Sequence, residues 1–264
     1  MERDKHMPQY HEEHMALAEK KLSLLLDVAN EIILLQLATV ETLNAALRRS
    51  SIPITWRNRV LIGLALKACA SFERLVIDAR ERRGECSHHL KTMVESFIYY
   101  HWVDHDAGEE RARLVYAEGC RARAVYHENN SSSPDASVYA LEWRAILADV
   151  TRGIEENWER FRNPKLEQLA DKCGLDAHYQ RIYRMACETA HIADLPAYMP
   201  PEPEGELSLV PPSISLLRAY VALGFGLHLA CDILHDASDV LKMGADEKIA
   251  RLREKITAIQ STNS

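Results

Sequence analysis

The chain has 264 residues, 47% of them hydrophobic, enough to bury a sizeable core as one large domain or two small ones. Its 32 basic residues face 39 acidic ones, and the net charge of −7 excludes a global basic field for nonspecific duplex binding while leaving room for a local basic groove. The six cysteines, Cys69, Cys86, Cys120, Cys173, Cys187 and Cys231, include no C-x-x-C pair, which fits free thiols in a reducing compartment, and the N-terminus lacks the apolar run of a secretory signal. A cytoplasmic location is the expectation.

Apolar residues recur at spacings of three and four almost throughout, while β-branched runs closed by Asn-Gly or Asp-Gly are missing, so an all-α multi-helix bundle with a long N-terminal helical arm is expected. We take residues 1–264 as a single domain, with an arm over 1–50 and a core over 51–264. Residues 8–49 read as one long or one broken helix through Leu22, Leu25, Ile32, Leu35 and Leu43, ended by Pro53. A second helix is expected from Thr55 to Arg83 through Val60, Leu64, Ala68, Phe72 and Val76, stopped by Gly84. Ser87 is placed to cap a third, through Leu90, Val94, Phe97 and His101. A fourth covers 109–127, and 128–134 form a loop rich in Asn and Ser.

Asp135 is the expected cap of a fifth helix reaching Phe161, and Asn163-Pro164 begins a short sixth that Gly174 ends. Residues 166–175 resemble the opening of a helix-turn-helix, but the next helix carries only Arg181 and Arg184 as basic residues, so a helix with an ordinary Gly stop is the reading adopted. That next helix spans Asp176 to Ile192. Pro200, Pro201, Pro203, Pro211 and Pro212 keep 193–213 extended, either as a surface connection or as a lid. Residues 214–234 are the most apolar stretch, yet Arg218, His228 and Asp232 interrupt it, so a buried core helix from Ser213 to Met243 is expected there rather than a membrane span. A charged helix follows from Ala245.

The densest polar chemistry lies in Tyr183-Arg184-Met185-Ala186-Cys187-Glu188-Thr189-Ala190-His191. Arg184, Cys187, Glu188 and His191 share one helical face at about 100° per residue. Arginine offers a fork of donors to phosphate and histidine exchanges a proton near neutrality, a pair sufficient for RNA cleavage without metal. A plain solvated face, opposite a buried face of Tyr179, Ile182, Ala186 and Ala190, is the structural alternative.

A metal reading stands beside these two. Glu188-x-x-His191 and Glu85-x-x-His88 both carry the Glu-x-x-His spacing of helical carboxylate proteins, and Glu142 with Glu41 or Glu73 would complete a site for two iron or manganese ions. Against it, Gly84 and Ser87 put Glu85 at a helix start, where a carboxylate serves the helix dipole.

Two resemblances add to this. Leu90-Lys91-Thr92-Met93-Val94-Glu95-Ser96-Phe97, followed by Tyr183-Arg184-x2-Cys187-x3-His191, resembles a prokaryotic family of unknown function, DUF5677, over residues 55–240. That family pairs Arg-x3-Glu with Tyr-Arg-x2-Ser-x3-His, and this chain departs from it at Lys91 and Cys187. Arg184-x6-His191 also resembles the Arg-x4-6-His signature of the HEPN (higher eukaryote and prokaryote nucleotide-binding) superfamily, helical and often dimeric proteins. Many of those are metal-independent ribonucleases of toxin–antitoxin or antiphage systems. The resemblance implies His191 as general base and Arg184 as transition-state clamp, with Glu95 and Tyr183 beside them and Lys91 binding substrate. RNA or a nucleotide would be the ligand, no membrane the partner, and a homodimer the assembly.

Overall fold

The computed structural model describes residues 7–49, 55–83, 86–106, 108–130, 135–154, 165–188, 212–241 and 243–262. All regular structure among them is helical. In chain order the helices are α1 (Met7–Arg48), α2 (Trp56–Arg80), α3 (Cys86–Asp104), α4 (Glu110–Asn129), α5 (Ala136–Val150) and α6 (Leu166–Lys172). Next comes α7, a composite of Asp176–His178, a π turn over Tyr179–Tyr183, and Arg184–Glu188. The last two are α8 (Pro212–Leu241) and α9 (Asp246–Ser261). The residues group into two compact units, one of 1–52, 65–97 and 177–264, the other of 53–64 and 98–176.

The first unit is organised on α1, which is one unbroken helix. Its buried positions Leu22, Leu25, Ala29, Ile32, Leu35, Thr39, Leu43 and Ala46 recur at three and four, and that stripe packs on α8 and α9. The N-terminal arm is therefore part of a core, each buried leucine or isoleucine contributing about 1.5–3 kcal/mol. Both α1 and α8 contain stretches long and apolar enough to cross a bilayer by length and composition. In α8 that surface is spent inside the protein: Ala219, Leu223, Leu227 and Ala230 are fully buried. A Cβ at Gly226 would stand 3.2 Å from Leu75 Cδ1, so the missing side chain is what lets α2 lie against α8. Lys255 of α9 reaches Glu31 of α1 at 2.8 Å, and Arg253 reaches Asp232 of α8 at 2.6 Å.

Helix ends refine three of the expected boundaries. The second helix was expected to stop at Gly84, which lies outside the described residues; the stop is made earlier, with Arg82 in the left-handed region at φ 54°. The Arg83 amide donates to the Asp78 carbonyl and the Arg82 amide to that of Ala79, the paired bonds of a Schellman turn. Ser87 does not cap α3. The helix already runs at Cys86, and Ser87 is buried in its first turn. The Gly174 stop is as expected: φ is 71°, and Leu175 and Gly174 donate to Ala170 and Asp171 in the same paired arrangement.

In the second unit the fifth helix ends at Val150, eleven residues before the expected Phe161. Arg113 of α4 takes the carbonyls of Val150 at 2.9 Å and Arg152 at 2.6 Å, and Gly153 turns the chain with φ 82°. The side chain that ends α5 thus comes from a neighbouring helix. Asp135 occupies the N-cap position but makes no side-chain capping bond. Arg57 anchors the start of α2 to the end of α3 through Asp104 at 2.5 Å.

Candidate functional site

The site lies within the first unit, where α7 meets the N-terminal half of α3. Met93 and Val94 of α3 are fully buried, as is Ala186 of α7, with Ile182 nearly so. Contacts of Tyr183 with Glu95 and of His178 with Phe97 set the facing edges. On α3, Lys91 and Glu95 stand four residues apart on one edge, both half-buried. On α7, Tyr183 is presented to them: its hydroxyl donates to Glu95 Oε1 at 3.1 Å, and Lys91 Nζ sits 5.7 Å from its ring centroid.

The π turn sets this geometry. A π turn closes i to i+5, so each residue in it advances less around the axis than in an α-helix. Tyr179 and Tyr183, which open and close the turn, therefore stack, with centroids 5.1 Å apart and planes inclined by 19°. The result is a short aromatic ladder with an ammonium group over one end and a carboxylate at its hydroxyl.

Electrostatics follow from these contacts. Burial first, then the Glu95 carboxylate and Cys187, push the Tyr183 hydroxyl well above its ordinary range. Tyr183 is thus a neutral donor, unsuited to act as a phenolate base or nucleophile. Cys187, half-buried, lies within hydrogen-bonding reach of the same hydroxyl.

The predicted stripe is divided by the structure. Tyr183, Glu95, Lys91 and Cys187 come together. Arg184 does not join them, being exposed and donating from Nη1 to Gln180 Oε1 at 3.1 Å. Arg181 is exposed as well. His191 lies outside the described residues, as do Glu85 and the side chain of Glu188. Of the carboxylate set, Glu41, Glu73, Glu142 and His88 are all exposed.

Two clusters escaped sequence reasoning. His178, at the start of α7, packs its ring 5.5 Å from that of Phe97 and points Nε2 at Asp232 Oδ2, 4.0 Å away, while Arg253 holds the other oxygen. This ties α7 to α8 and α9, and no sequence spacing announces a contact across fifty residues. The second is His235, Asp239 and Asp246, whose ligand atoms lie within 4.8 Å of one another at the α8–α9 corner. The His235–Asp239 spacing of four was the available signal. Each ring nitrogen of His235 already faces a carboxylate, Nδ1 toward Asp246 at 3.2 Å and Nε2 toward Asp239 at 4.0 Å.

No curated protein and no solved structure is significantly similar to the chain. A family of unknown function, DUF5677, matches residues 58–201, a span that holds Lys91, Glu95 and the whole of α7. The chain belongs to the DUF5677 family.

Proposed function

We propose that the α3–α7 face binds a nucleotide or a short single-stranded RNA, and that the protein is a HEPN-like, metal-independent ribonuclease. The observation that carries this reading is the ladder of Tyr179 and Tyr183 with Lys91 beside it and the exposed guanidinium of Arg184 one residue on. Aromatic faces stack bases without regard to sequence, and a nearby ammonium and guanidinium suit phosphate. Arg184 uses Nη1 on Gln180, and its other donors serve for a phosphate oxygen.

In the reaction His191 takes the proton of a ribose 2′-hydroxyl as that oxygen attacks the adjacent phosphorus. The bond from phosphorus to the 5′-oxygen breaks, the departing oxygen takes up a proton, and a 2′,3′-cyclic phosphate remains. Arg184 offsets charge on the phosphoryl oxygens at the transition state. Glu95, bonded to the neutral Tyr183, positions the ladder and Lys91.

The test is cleavage of single-stranded RNA in the presence of chelator, with cyclic phosphate as product. Activity that survives chelator and disappears in His191→Ala supports the reading, and Lys91→Ala weakens binding. Each lost phosphate contact lowers the salt slope of single-strand binding by about 0.7. An absence of both binding and cleavage across RNA and nucleotides sinks it.

A further inference from the structure

The second unit contains a helix that is apolar on two opposite sides. α5 turns Ala136, Ala140 and Val150 into the contact with α4, where Trp143 also carries Arg123 over its ring at 4.7 Å. Its far side shows Val138, Leu141, Ala145 and Ala148, spaced by three, four and three, and all exposed. Leu141 is 71% and Val138 52% exposed. An exposed apolar seam at this spacing is the kind that another helix fills.

The charges bordering the seam select the occupant. Arg144 borders one side, and Glu142 and Asp149 border the other. An antiparallel copy of α5 would set Glu142 against Glu142 and Asp149 of the second molecule, carboxylate on carboxylate. A parallel copy sets Arg144 of each molecule beside Asp149 of the other, five residues further along, which is the flanking ion pair of a parallel two-helix seam; within the chain Asp149 Oδ1 already pairs with Arg152 at 3.1 Å, so Oδ2 is the oxygen that serves. Arg144 holds Glu128 through Nε and Nη2, so its Nη1 edge remains for that contact. We infer that α5 is the homodimer interface, pairing in parallel with α5 of a second copy, with Val138, Leu141, Ala145 and Ala148 meeting their own counterparts across a twofold axis.

The seam runs from Val138 to Ala148 within a helix of 15 residues, a small interface, so weak association of about 1–100 μM is expected. Sedimentation velocity of the full chain over that range should show a monomer–dimer equilibrium. Leu141→Glu should abolish it with the helical circular dichroism unchanged, because the side chain is exposed in the monomer. Arg144→Asp should weaken the dimer, and Arg144→Asp combined with Asp149→Arg should restore it. A wild-type chain that stays monomeric throughout gives this face to some other occupant and overturns the inference, as does a dimer indifferent to Leu141→Glu. A dimer lost in Leu141→Glu but not restored by the charge exchange overturns the parallel pairing.

Discussion

Changing Tyr183 to phenylalanine removes one oxygen and keeps the ring under Lys91. The lost bond, 3.1 Å from the phenol to Glu95, is charge-assisted but half-exposed and longer than the best of its kind. Its net worth is therefore near the lower end for bonds to charged groups, about 1–1.5 kcal/mol. In a chain of this size that is roughly 2–5 °C in Tm. The pH dependence identifies the cause. The folded state holds the Tyr183 pKa above its ordinary value of 10.0, so the stabilisation is complete below that value. As pH rises past it, the unfolded chain releases the proton while the folded chain keeps it, and wild type loses stability that Tyr183→Phe cannot lose. Urea denaturation of both proteins at several pH values should show wild type ahead at neutrality and the gap closing above pH 10.0. A gap that is absent at neutrality, or constant across the series, would refute a neutral Tyr183 hydroxyl donating to Glu95.

Three further outcomes follow from the packing. Gly226→Val adds a branched side chain where even a Cβ would stand 3.2 Å from Leu75 and 3.8 Å from Phe72, and should cost about 1–3 kcal/mol, measured by denaturant midpoint. Asp78→Ala removes the buried carboxylate that accepts from His89 Nε2 at 3.0 Å, and should lower stability by about 1–3 kcal/mol; an unchanged midpoint would count against that bond. Burial pushes the Cys69 thiol up to about 11 and that of Cys231 up to about 12, so at pH 8 both should resist a thiol reagent in the folded protein while half-buried Cys187 is labelled first. Fast labelling of Cys231 in native protein would contradict its placement in α8.

The helices were legible because apolar periodicity and burial are the same fact seen twice: Leu25, Ile32, Phe72 and Leu90 were read from spacing and are fully buried. Gly174 was legible as a stop because glycine tolerates its left-handed φ, whereas Arg82 adopts the same conformation with no residue type to announce it. The end of α5 was not legible, since it depends on an arginine about forty residues upstream. At the site, Lys91, Glu95 and Tyr183 were singled out by the resemblance to the family pattern, and helical spacing grouped Arg184 with Cys187, but the separation of Arg184 from them was not legible. Neighbouring residues on a helix point about 100° apart, so the orientation that brings Tyr183 to Glu95 turns Arg184 outward, and Tyr179-Gln180-Arg181-Ile182-Tyr183 is an unremarkable helical sequence that does not announce its π turn.

That turn also means α7 contains one residue more than its length as a plain α-helix would need. Deleting any one position between 179 and 183 removes the surplus. The segment Arg184–Glu188 would then either rotate by about 100° or stay fixed while the turn tightens into ordinary helix around it. In the second case the tyrosine ladder is lost and the rest of the seam survives. A single-codon deletion is thus the smallest change able to separate the scaffold of α7 from the side chains it displays.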